Sequence, residues 1–260
     1  MSVPILTRLS LSASRGAARY IPTRRHTLRN ARPLVSFTFD DVPDTAATNG
    51  AAVLDRHGVK GTFYIAPGIL DEVDEHWRVL SAEQVAELHR RGHEIGCHTF
   101  SHVKVQSLSH IEAMAETKRT RETFTRICGK GEFRNFAYPF GVVSMPRKLQ
   151  LQGDFDSCRG IYQEINARSV DLGLLRAFEL YDRTLTPLGV ERLLDETVRC
   201  NGWLVFYTHD VVDNPSWIGC TPKLLDHAVR AAKLRGIECV SIAEGLARVG
   251  ARDRATAVTS

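Results

Sequence analysis

The amino-acid sequence predicts an α/β protein, a single-domain deformed (β/α) barrel with seven or eight strands. From about residue 33 onward, short β-rich runs alternate with amphipathic helical stretches, a pattern typical of parallel sheets. The chain has 260 residues, a length at which α/β barrels commonly form one domain. An open doubly wound sheet is the alternative, although no GxGxxG or GxxxxGK[ST] motif favours a nucleotide site.

Eight segments have the length and composition of strands. In chain order they are LVSFTF (34–39), GTFYIA (61–66), HEIGCHT (93–99), NFAYPF (135–140), FDSCRGI (155–161), LLRAFEL (174–180), WLVFYTH (203–209) and IECVSI (237–242). Three intervening helices are predicted at 81–92, 109–129 and 221–236. Each begins with a Ser or Thr that can cap the free N–H groups and ends with a Gly that tolerates a left-handed conformation.

Composition and charge describe an ordinary globular chain, with 43% hydrophobic and 25% charged residues and a net charge of +4. We predict a basic N-terminal arm (1–32), a barrel (33–250) and a C-terminal tail (251–260). The arm precedes the first acidic residue, Asp40, and carries Arg8, Arg15, Arg19, Arg24, Arg25, Arg29 and Arg32. A solvated or partly ordered arm is favoured over one that contacts a membrane surface or nucleic acid.

Targeting signals are weak in this sequence. No apolar run reaches the 18 residues of a membrane span, and the stretch VPILTRLSLSA is interrupted by Thr7 and Arg8. The six cysteines form no CxxC pair, which favours reduced thiols in a cytoplasmic protein. We therefore expect a cytoplasmic location, with peripheral membrane association as the alternative and the oligomeric state left open.

Two adjacent carboxylates, Asp40 and Asp41, follow the first predicted strand. Neighbouring side chains in a strand point to opposite faces, so a pair inside the strand would bury one charge at a cost of several kcal/mol. At the strand end this alternation stops, and both carboxylates can face the carboxyl-terminal rim, where barrels carry their active sites.

Further reactive side chains follow other predicted strands. His98 and His102 are four residues apart in CHTFSH, a spacing that places both imidazoles on one side of a turn. Together with a carboxylate they would match catalytic zinc sites. His209 ends another strand, and Pro139 and Gly141 force an irregular exit that frees backbone N–H groups for an oxyanion. Each feature alone also fits a structural role.

The motifs TFDD, HTFSH, YPFG and THD, in this order, resemble those of the polysaccharide deacetylase superfamily, which includes the NodB-homology and chitin-deacetylase-like proteins of carbohydrate esterase family 4. RGHEIGCHTFSH is an especially close match, and the resemblance covers about residues 33–245. It implies a TIM-like barrel and a metal-dependent hydrolase of a non-peptide C–N bond. The expected reaction removes N-acetyl groups from an amino-sugar-containing glycan or glycolipid.

The resemblance also implies a role for individual residues. Asp40 would be the general base and His209 the general acid, and the backbone N–H of Phe140 would bind the oxyanion. A divalent metal ion, with zinc favoured, would be held by Asp41, His98 and His102.

Departures from the family pattern mark a divergent branch that carries AYP[YF]G. Val42 replaces the Gly of TFDDG, and Ala137 occupies the position of an Arg that normally orients the base. We predict that Arg176, in LLRAFEL, reaches the rim as a substitute. The alternative is an exposed Arg176 paired with Glu179 or Asp182.

An N-acetylated glycan is the predicted partner, with no nucleic acid. Tyr138, Tyr207 and Trp217 are candidates for contact with its sugar rings, although core or rim packing is the alternative for each. Two other functions compete with deacetylation. A ureide-type C–N hydrolase is one, and a non-catalytic glycan-binding protein is the other, which the presence of both Asp40 and His209 disfavours.

Overall fold

The computed structural model describes residues 5–129 and 133–251, with side chains described from residue 12 onward. Apart from Ala251, the predicted C-terminal tail lies outside these residues, as do residues 1–4 of the predicted arm. The described chain forms a curled parallel sheet with helices around it. This architecture confirms the predicted deformed (β/α) barrel.

The described residues contain ten strands. They are β1 (Arg25–Thr27), β2 (Leu34–Asp40), β3 (Thr62–Ile65), β4 (Glu94–Cys97), β5 (Asn135–Ala137), β6 (Ser157–Arg159), β7 (Ser169–Asp171), β8 (Phe178–Glu179), β9 (Trp203–Thr208) and β10 (Glu238–Cys239). The main sheet has the order β6-β5-β4-β3-β2-β9-β8, with β10 beside the start of β2, and its pairs are parallel. Each of its eight strands falls on one of the predicted segments.

The sheet closes through the segment that precedes β8. Leu175 forms a parallel bridge with Arg159 of β6. The N–H of Leu175 donates to the carbonyl of Cys158 at 2.8 Å, and the N–H of Gly160 donates to the carbonyl of Leu175 at 3.0 Å. Because the same segment continues into β8, which pairs with β9, the two edges of the curled sheet are joined.

Alternation along β2 separates the two faces of the barrel wall. Phe37 and Phe39 pack outward against the helices, in the larger core cluster. The alternate residues Ser36, Thr38 and Asp40 face the interior and are buried. An interior carboxylate at Asp40 therefore needs a partner inside the barrel, since an unpaired buried charge is strongly unfavourable.

Eight helices surround the sheet in the described part of the chain. They are α1 (Ile5–Tyr20), α2 (Ala51–Arg56), α3 (Ala82–Arg90), α4 (His110–Cys128), α5 (Met145–Asp154), α6 (Pro187–Cys200), α7 (Pro222–Leu234) and α8 (Ile242–Arg248). The three predicted helices are α3, α4 and α7, and their N-caps Ser81, Ser109 and Thr221 accept the expected backbone hydrogen bonds. None of the helices described here has the length and hydropathy of a membrane span.

The N-terminal region contains elements that the sequence did not predict. α1 packs against α5, and β1 pairs antiparallel with β7 in a small ribbon. Buried Lys148 of α5 donates to the carbonyl oxygens of Ala18 and Ile21 at 2.6 and 2.8 Å. The end of α1 is thereby attached to the barrel, while the boundary between arm and barrel stays a prediction.

Candidate active site

The carboxylate pair lies where β2 leaves the sheet. Asp40 ends the strand on its interior face. Asp41 and Val42 then have positive φ values of 56° and 47°, so the alternation stops after Asp40, and both carboxylates line one cavity at the barrel mouth. Val42 adopts a conformation that β-branched residues rarely adopt, at the position where the family motif has Gly.

Asp41, His98 and His102 form a compact cluster of metal-binding atoms. Asp41 Oδ1 lies 2.8 Å from His102 Nε2 and 3.3 Å from His98 Nε2. One ligand atom from each residue lies within 4.8 Å of the other two. Burial opposes the charge of Asp41, but the contacts with His102 and His98 outweigh it and hold the pKa of this carboxyl well below its usual range.

The donor chemistry of this cluster fits a bound cation. His98 Nδ1 lies 2.8 Å from the carbonyl oxygen of Ala137, which only accepts, so Nδ1 carries the proton of the neutral ring. The unprotonated Nε2 then faces the Asp41 carboxylate. Asp41 Oδ1 is buried and has no hydrogen bond of ordinary geometry among the described residues. Two His and one carboxylate are a common donor set for zinc and related divalent ions.

A helix carboxylate fixes the turn that bears the two histidines. Glu116 of α4 accepts from the backbone N–H groups of Phe100 and Ser101, each at 2.8 Å. Positive φ values of 61° at Thr99 and 49° at His102 bend the chain on either side. The sequence alone did not indicate this role for Glu116.

Arg159, and not Arg176, holds the predicted base. Arg159 Nη2 donates to Asp40 Oδ1, and both side chains are buried. Burial disfavours the charge of Arg159, but the Asp40 carboxylate outweighs burial and raises the pKa of this guanidinium. The guanidinium carbon also lies 5.1 and 5.2 Å from the ring centroids of Tyr64 and Tyr207. The guanidinium therefore fixes the orientation of the Asp40 carboxylate.

The prediction that Arg176 contacts Asp40 is wrong. Arg176 Nη2 donates to the carbonyl of Arg19 at 2.7 Å, and its Nε lies 3.6 Å from Glu164. Alternation explains the difference, because Phe178, two residues later, packs outward while Glu179 lines the cavity. The alternative pairing with Glu179 or Asp182 is not present either, since Glu164 is the acidic partner.

The register of β5 and β6 shows how Arg159 compensates for the missing family Arg. Ala137, which occupies the family position, is the direct partner of Arg159 across the parallel pair. Paired residues in adjacent strands point to the same face. In this chain the guanidinium therefore comes from β6, the strand next to β5, and it contacts the Asp40 carboxylate.

His209 lies opposite the metal-binding cluster with a defined orientation. Its Nδ1 is 3.1 Å from the carbonyl oxygen of Ile218, so Nε2 faces the cavity, 3.8 Å from Asp41 Oδ2. The ring stacks near Trp77, with centroids 6.1 Å apart. A protonated His209 would accordingly present an N–H donor to a group bound beside Asp41.

The loop that supplies the Ile218 carbonyl is anchored by Asp210. Its carboxylate accepts from Ser216 N at 2.7 Å and from Ser216 Oγ at 2.6 Å. Gly219 passes so close that a Cβ would lie 2.2 Å from Asp210 Oδ1. These contacts restrict the conformation of the loop, which places both Ile218 and Trp217 at the cavity.

Phe140 lies in a strained turn on the other side of the cavity. Its φ is 60°, and Gly141 follows with a φ of 64°. A Cβ on Gly141 would meet Ile161 at 2.2 Å, so only Gly fits this turn. The centroid of the Phe140 ring lies 4.5 Å from that of His102.

Backbone strain is concentrated at this site. Five of the eight non-Gly residues with positive φ in the described chain lie here, namely Asp41, Val42, Thr99, His102 and Phe140. Such strain clusters at functional sites.

One cavity of about 410 Å³ contains this chemistry. Of the three predicted sugar-contacting residues, Tyr207 and Trp217 line it. The prediction for Tyr138 is wrong, because its side chain is buried in the core and its hydroxyl donates to the carbonyl of Gly173 at 3.0 Å. Residues of the cavity that the sequence did not indicate are Ile161, Glu179, Tyr181, Arg183 and Ile218. The short loops around β8 and β9 contribute several of them, without any sequence motif.

Comparison with known proteins agrees with this geometry. A family profile described as polysaccharide deacetylase matches residues 28–152. The chitin deacetylase of Colletotrichum lindemuthianum is 26% identical over 246 residues, which cover 91% of this chain and 89% of that protein. A chitooligosaccharide deacetylase of Azorhizobium caulinodans is 28% identical over 111 residues, or 42% of this chain and 49% of that protein.

A solved structure supports the fold. A family 4 acetyl xylan esterase from Clostridium thermocellum, solved in complex with a cobalt ion, superposes with a TM-score of 0.58 at 24% identity, covering 82% of this chain and 90% of that one. The profile match includes the Asp pair, both metal-binding histidines and the Pro139 turn. Over the matched residues the chain is thus similar to the polysaccharide deacetylases, and its similarity to the chitin deacetylase extends over most of both chains.

Proposed function

We propose that this protein is a metal-dependent N-deacetylase that hydrolyses acetamide groups of amino sugars in a glycan or glycolipid. One observation carries the proposal. A carboxylate held by a buried guanidinium, Asp40 with Arg159, lies next to a three-residue metal-binding cluster in the same cavity as His209. The names of the two relatives, a chitin deacetylase and a chitooligosaccharide deacetylase, support the N-acetylated substrate class.

A divalent ion held by Asp41, His98 and His102 would polarise the acetamide carbonyl and make a nearby water more acidic. The residues around the ion would do the rest of the chemistry. Asp40 would accept the proton of the attacking water. Arg159 holds this carboxylate in a fixed orientation, and it cannot itself act as a base because a guanidinium does not lose its proton in proteins.

His209 would supply a proton at the other end of the reaction. An amine leaves an amide readily only when its nitrogen is protonated, and a positioned acid contributes about 10²–10⁴-fold to such a step. The Ile218 carbonyl holds Nδ1, so the Nε2 proton is the one delivered to the nitrogen. The backbone N–H of Phe140 would stabilise the charge that develops on the carbonyl oxygen.

Acetate release tests the proposal. Protein loaded with zinc, and separately with cobalt, should release acetate from N-acetylated glucosamine oligomers, and removal of the metal by a chelator should abolish the release. A panel with neutral, acidic and lipid-linked N-acetylated sugars would identify the substrate. If allantoin-type ureides are hydrolysed and no acetamide is, the chain is a ureide-type hydrolase. Glycan binding without hydrolysis by the metal-loaded protein would instead indicate a non-catalytic relative.

The remaining expectations are also proposals. The favoured ion is zinc, because two imidazoles and one carboxylate leave positions open for water and substrate. The cytoplasmic location stays a prediction, and fractionation of the native cell would check it.

A further inference from the structure

Arg183 is a cation on the wall of the active-site cavity that the proposed chemistry does not use. Its side chain is exposed and lines the same cavity as Asp40 and His209. Among the residues that the structure describes, its guanidinium forms no ion pair and no hydrogen bond. Its five N–H donors are therefore available to a ligand.

Aromatic rings, and not an acid, hold this guanidinium. Its central carbon lies 5.0 Å from the ring centroid of Trp217 and 5.8 Å from that of Tyr181. Burial raises the pKa of Tyr181, so the phenol stays neutral and offers no compensating charge. A guanidinium stacked on aromatic faces is positioned without its donors being consumed.

Two of the three carboxylates that line the cavity already have a partner or a role. Asp40 is paired with Arg159, and Asp41 belongs to the metal-binding cluster. Glu179 is the third, and in the described part of the chain it forms no ion pair with Arg183. Asp182, the neighbour of Arg183 in sequence, accepts from the backbone N–H of Thr221 at 2.7 Å. Arg183 is thus a positioned, uncompensated cation beside the reaction centre.

We propose that Arg183, supported by Trp217 and Tyr181, binds an anionic group of the substrate, so that the preferred substrate is an acidic N-acetylated glycan. This inference rests on the proposed function and names its substrate class. A carboxylate and a phosphate both match the planar fork of a guanidinium, which binds either through two parallel hydrogen bonds. The platform is fixed in advance, because Asp210 holds the loop of Trp217 through Ser216.

Three probes distinguish the chemistry of the anion. N,N′-diacetylchitobiose is neutral, a disaccharide of glucuronic acid and N-acetylglucosamine carries a carboxylate, and N-acetylglucosamine 6-phosphate carries a phosphate. We expect zinc-loaded protein to have a kcat/KM at least about tenfold higher for one of the anionic probes. Arg183→Gln should raise KM for that probe by about 10–100-fold, the effect of losing hydrogen bonds to a charged group, and should change kcat and the chitobiose kinetics much less.

Two further variants distinguish binding of the anion by the Arg183 guanidinium from a nonspecific effect of positive charge. Arg183→Lys keeps the charge without the fork and should be intermediate. Arg192→Gln removes one exposed arginine of α6 outside the cavity and should behave as wild type. Equal kcat/KM for neutral and anionic probes, or an equal effect of Arg183→Gln on both, would overturn the inference while leaving deacetylation intact.

A binding measurement covers the case in which no acetate is released. Titration calorimetry with glucosamine 6-phosphate, and with the deacetylated glucuronic acid disaccharide, needs no turnover. Wild-type protein should bind one of them at least about tenfold more tightly than Arg183→Gln does. Equal affinity in the two proteins would refute the anion site independently of the proposed function.

Discussion

Arg159 determines what the carboxylate of Asp40 can do. A buried ion pair contributes little net stability, but removal of one partner leaves an uncompensated charge. Arg159→Ala should therefore lower the free energy of unfolding by about 3–5 kcal/mol and reduce kcat, while the metal content stays at the wild-type level. Urea unfolding, acetate release and metal analysis of the same preparation would measure the three effects.

The parallel register offers a sharper test of this positioning role. In the double variant Ala137→Arg with Arg159→Ala, the guanidinium returns to the neighbouring strand on the same face. We expect the double variant to have a kcat at least tenfold higher than that of Arg159→Ala, which corresponds to an activation barrier lower by about 1.4 kcal/mol. Arg176→Lys, a change outside the cavity, serves as the control and should keep full activity. No recovery in the double variant would show that Arg159 acts in another way.

The single residues of the site differ in how far the sequence reveals them. Asp40, Asp41, His98 and His102 lie in short motifs, so spacing along the chain brings them to notice. Arg159 has no such motif, because its role depends on the register between β5 and β6. LLRAFEL has apolar residues at both alternating positions, so its pattern could not show that Arg176 faces outward.

At the scale of elements, a buried histidine at the start of a strand gives the stability of the fold a pH dependence. His93 lies before β4, and its Nδ1 accepts from the N–H of Gly61 at 3.2 Å. Burial lowers the pKa of His93 from 6.5 to about 4, although the Asp55 carboxylate 3.3 Å away opposes the shift. The neutral ring is thus the form that the folded state favours.

The sign of the effect follows from proton uptake. Between about pH 6.5 and 4 the unfolded chain binds a proton at His93 that the folded chain does not, so stability falls as the pH falls through this window. The contribution of neutral His93 to the free energy of unfolding is fully present above pH 6.5, and about 2 kcal/mol of it should be lost at pH 5. The difference in unfolding free energy between pH 7 and pH 5 should shrink by this amount in His93→Gln. The exposed His76→Gln should keep the wild-type difference, and an unchanged His93→Gln would contradict the assignment.

The strands and capped helices of the barrel could be predicted because their patterns are local. Every strand of the main sheet falls on a predicted segment, and Ser81, Ser109 and Thr221 mark the starts of three helices. β1 and β7 could not be predicted in the same way. Each has three residues, too few for a period, and their pairing depends on contacts across more than 140 positions of chain.

At the scale of the whole molecule, a buried lysine is one of the contacts that attach the N-terminal segment to the barrel. Lys148 binds two carbonyl oxygens at the end of α1 and lies 2.6 Å from Asp171 of β7. Lys148→Met should lower the free energy of unfolding by about 3–5 kcal/mol, as removal of one partner of a buried pair does. Limited proteolysis should then cut the chain near residues 18–24 faster than in the wild type.

A surface lysine provides the comparison for that change. Lys118→Met removes an exposed lysine of α4 and should leave both unfolding and proteolysis unchanged. Activity per folded molecule should persist in Lys148→Met, because Lys148 does not line the active-site cavity. Equal proteolysis of Lys148→Met and wild-type protein would show that the arm is held by other contacts.

The different duties of two adjacent carboxylates are the central claim about this molecule, and zinc stoichiometry measured together with acetate release tests it most directly. Asp40→Asn should retain about one zinc per chain and lose about 10²–10⁴-fold in turnover, the usual contribution of a general base. Asp41→Asn should lose zinc and activity together. Loss of zinc in Asp40→Asn with retention in Asp41→Asn, or near-wild-type turnover in Asp40→Asn, would contradict the assignment of base and ligand.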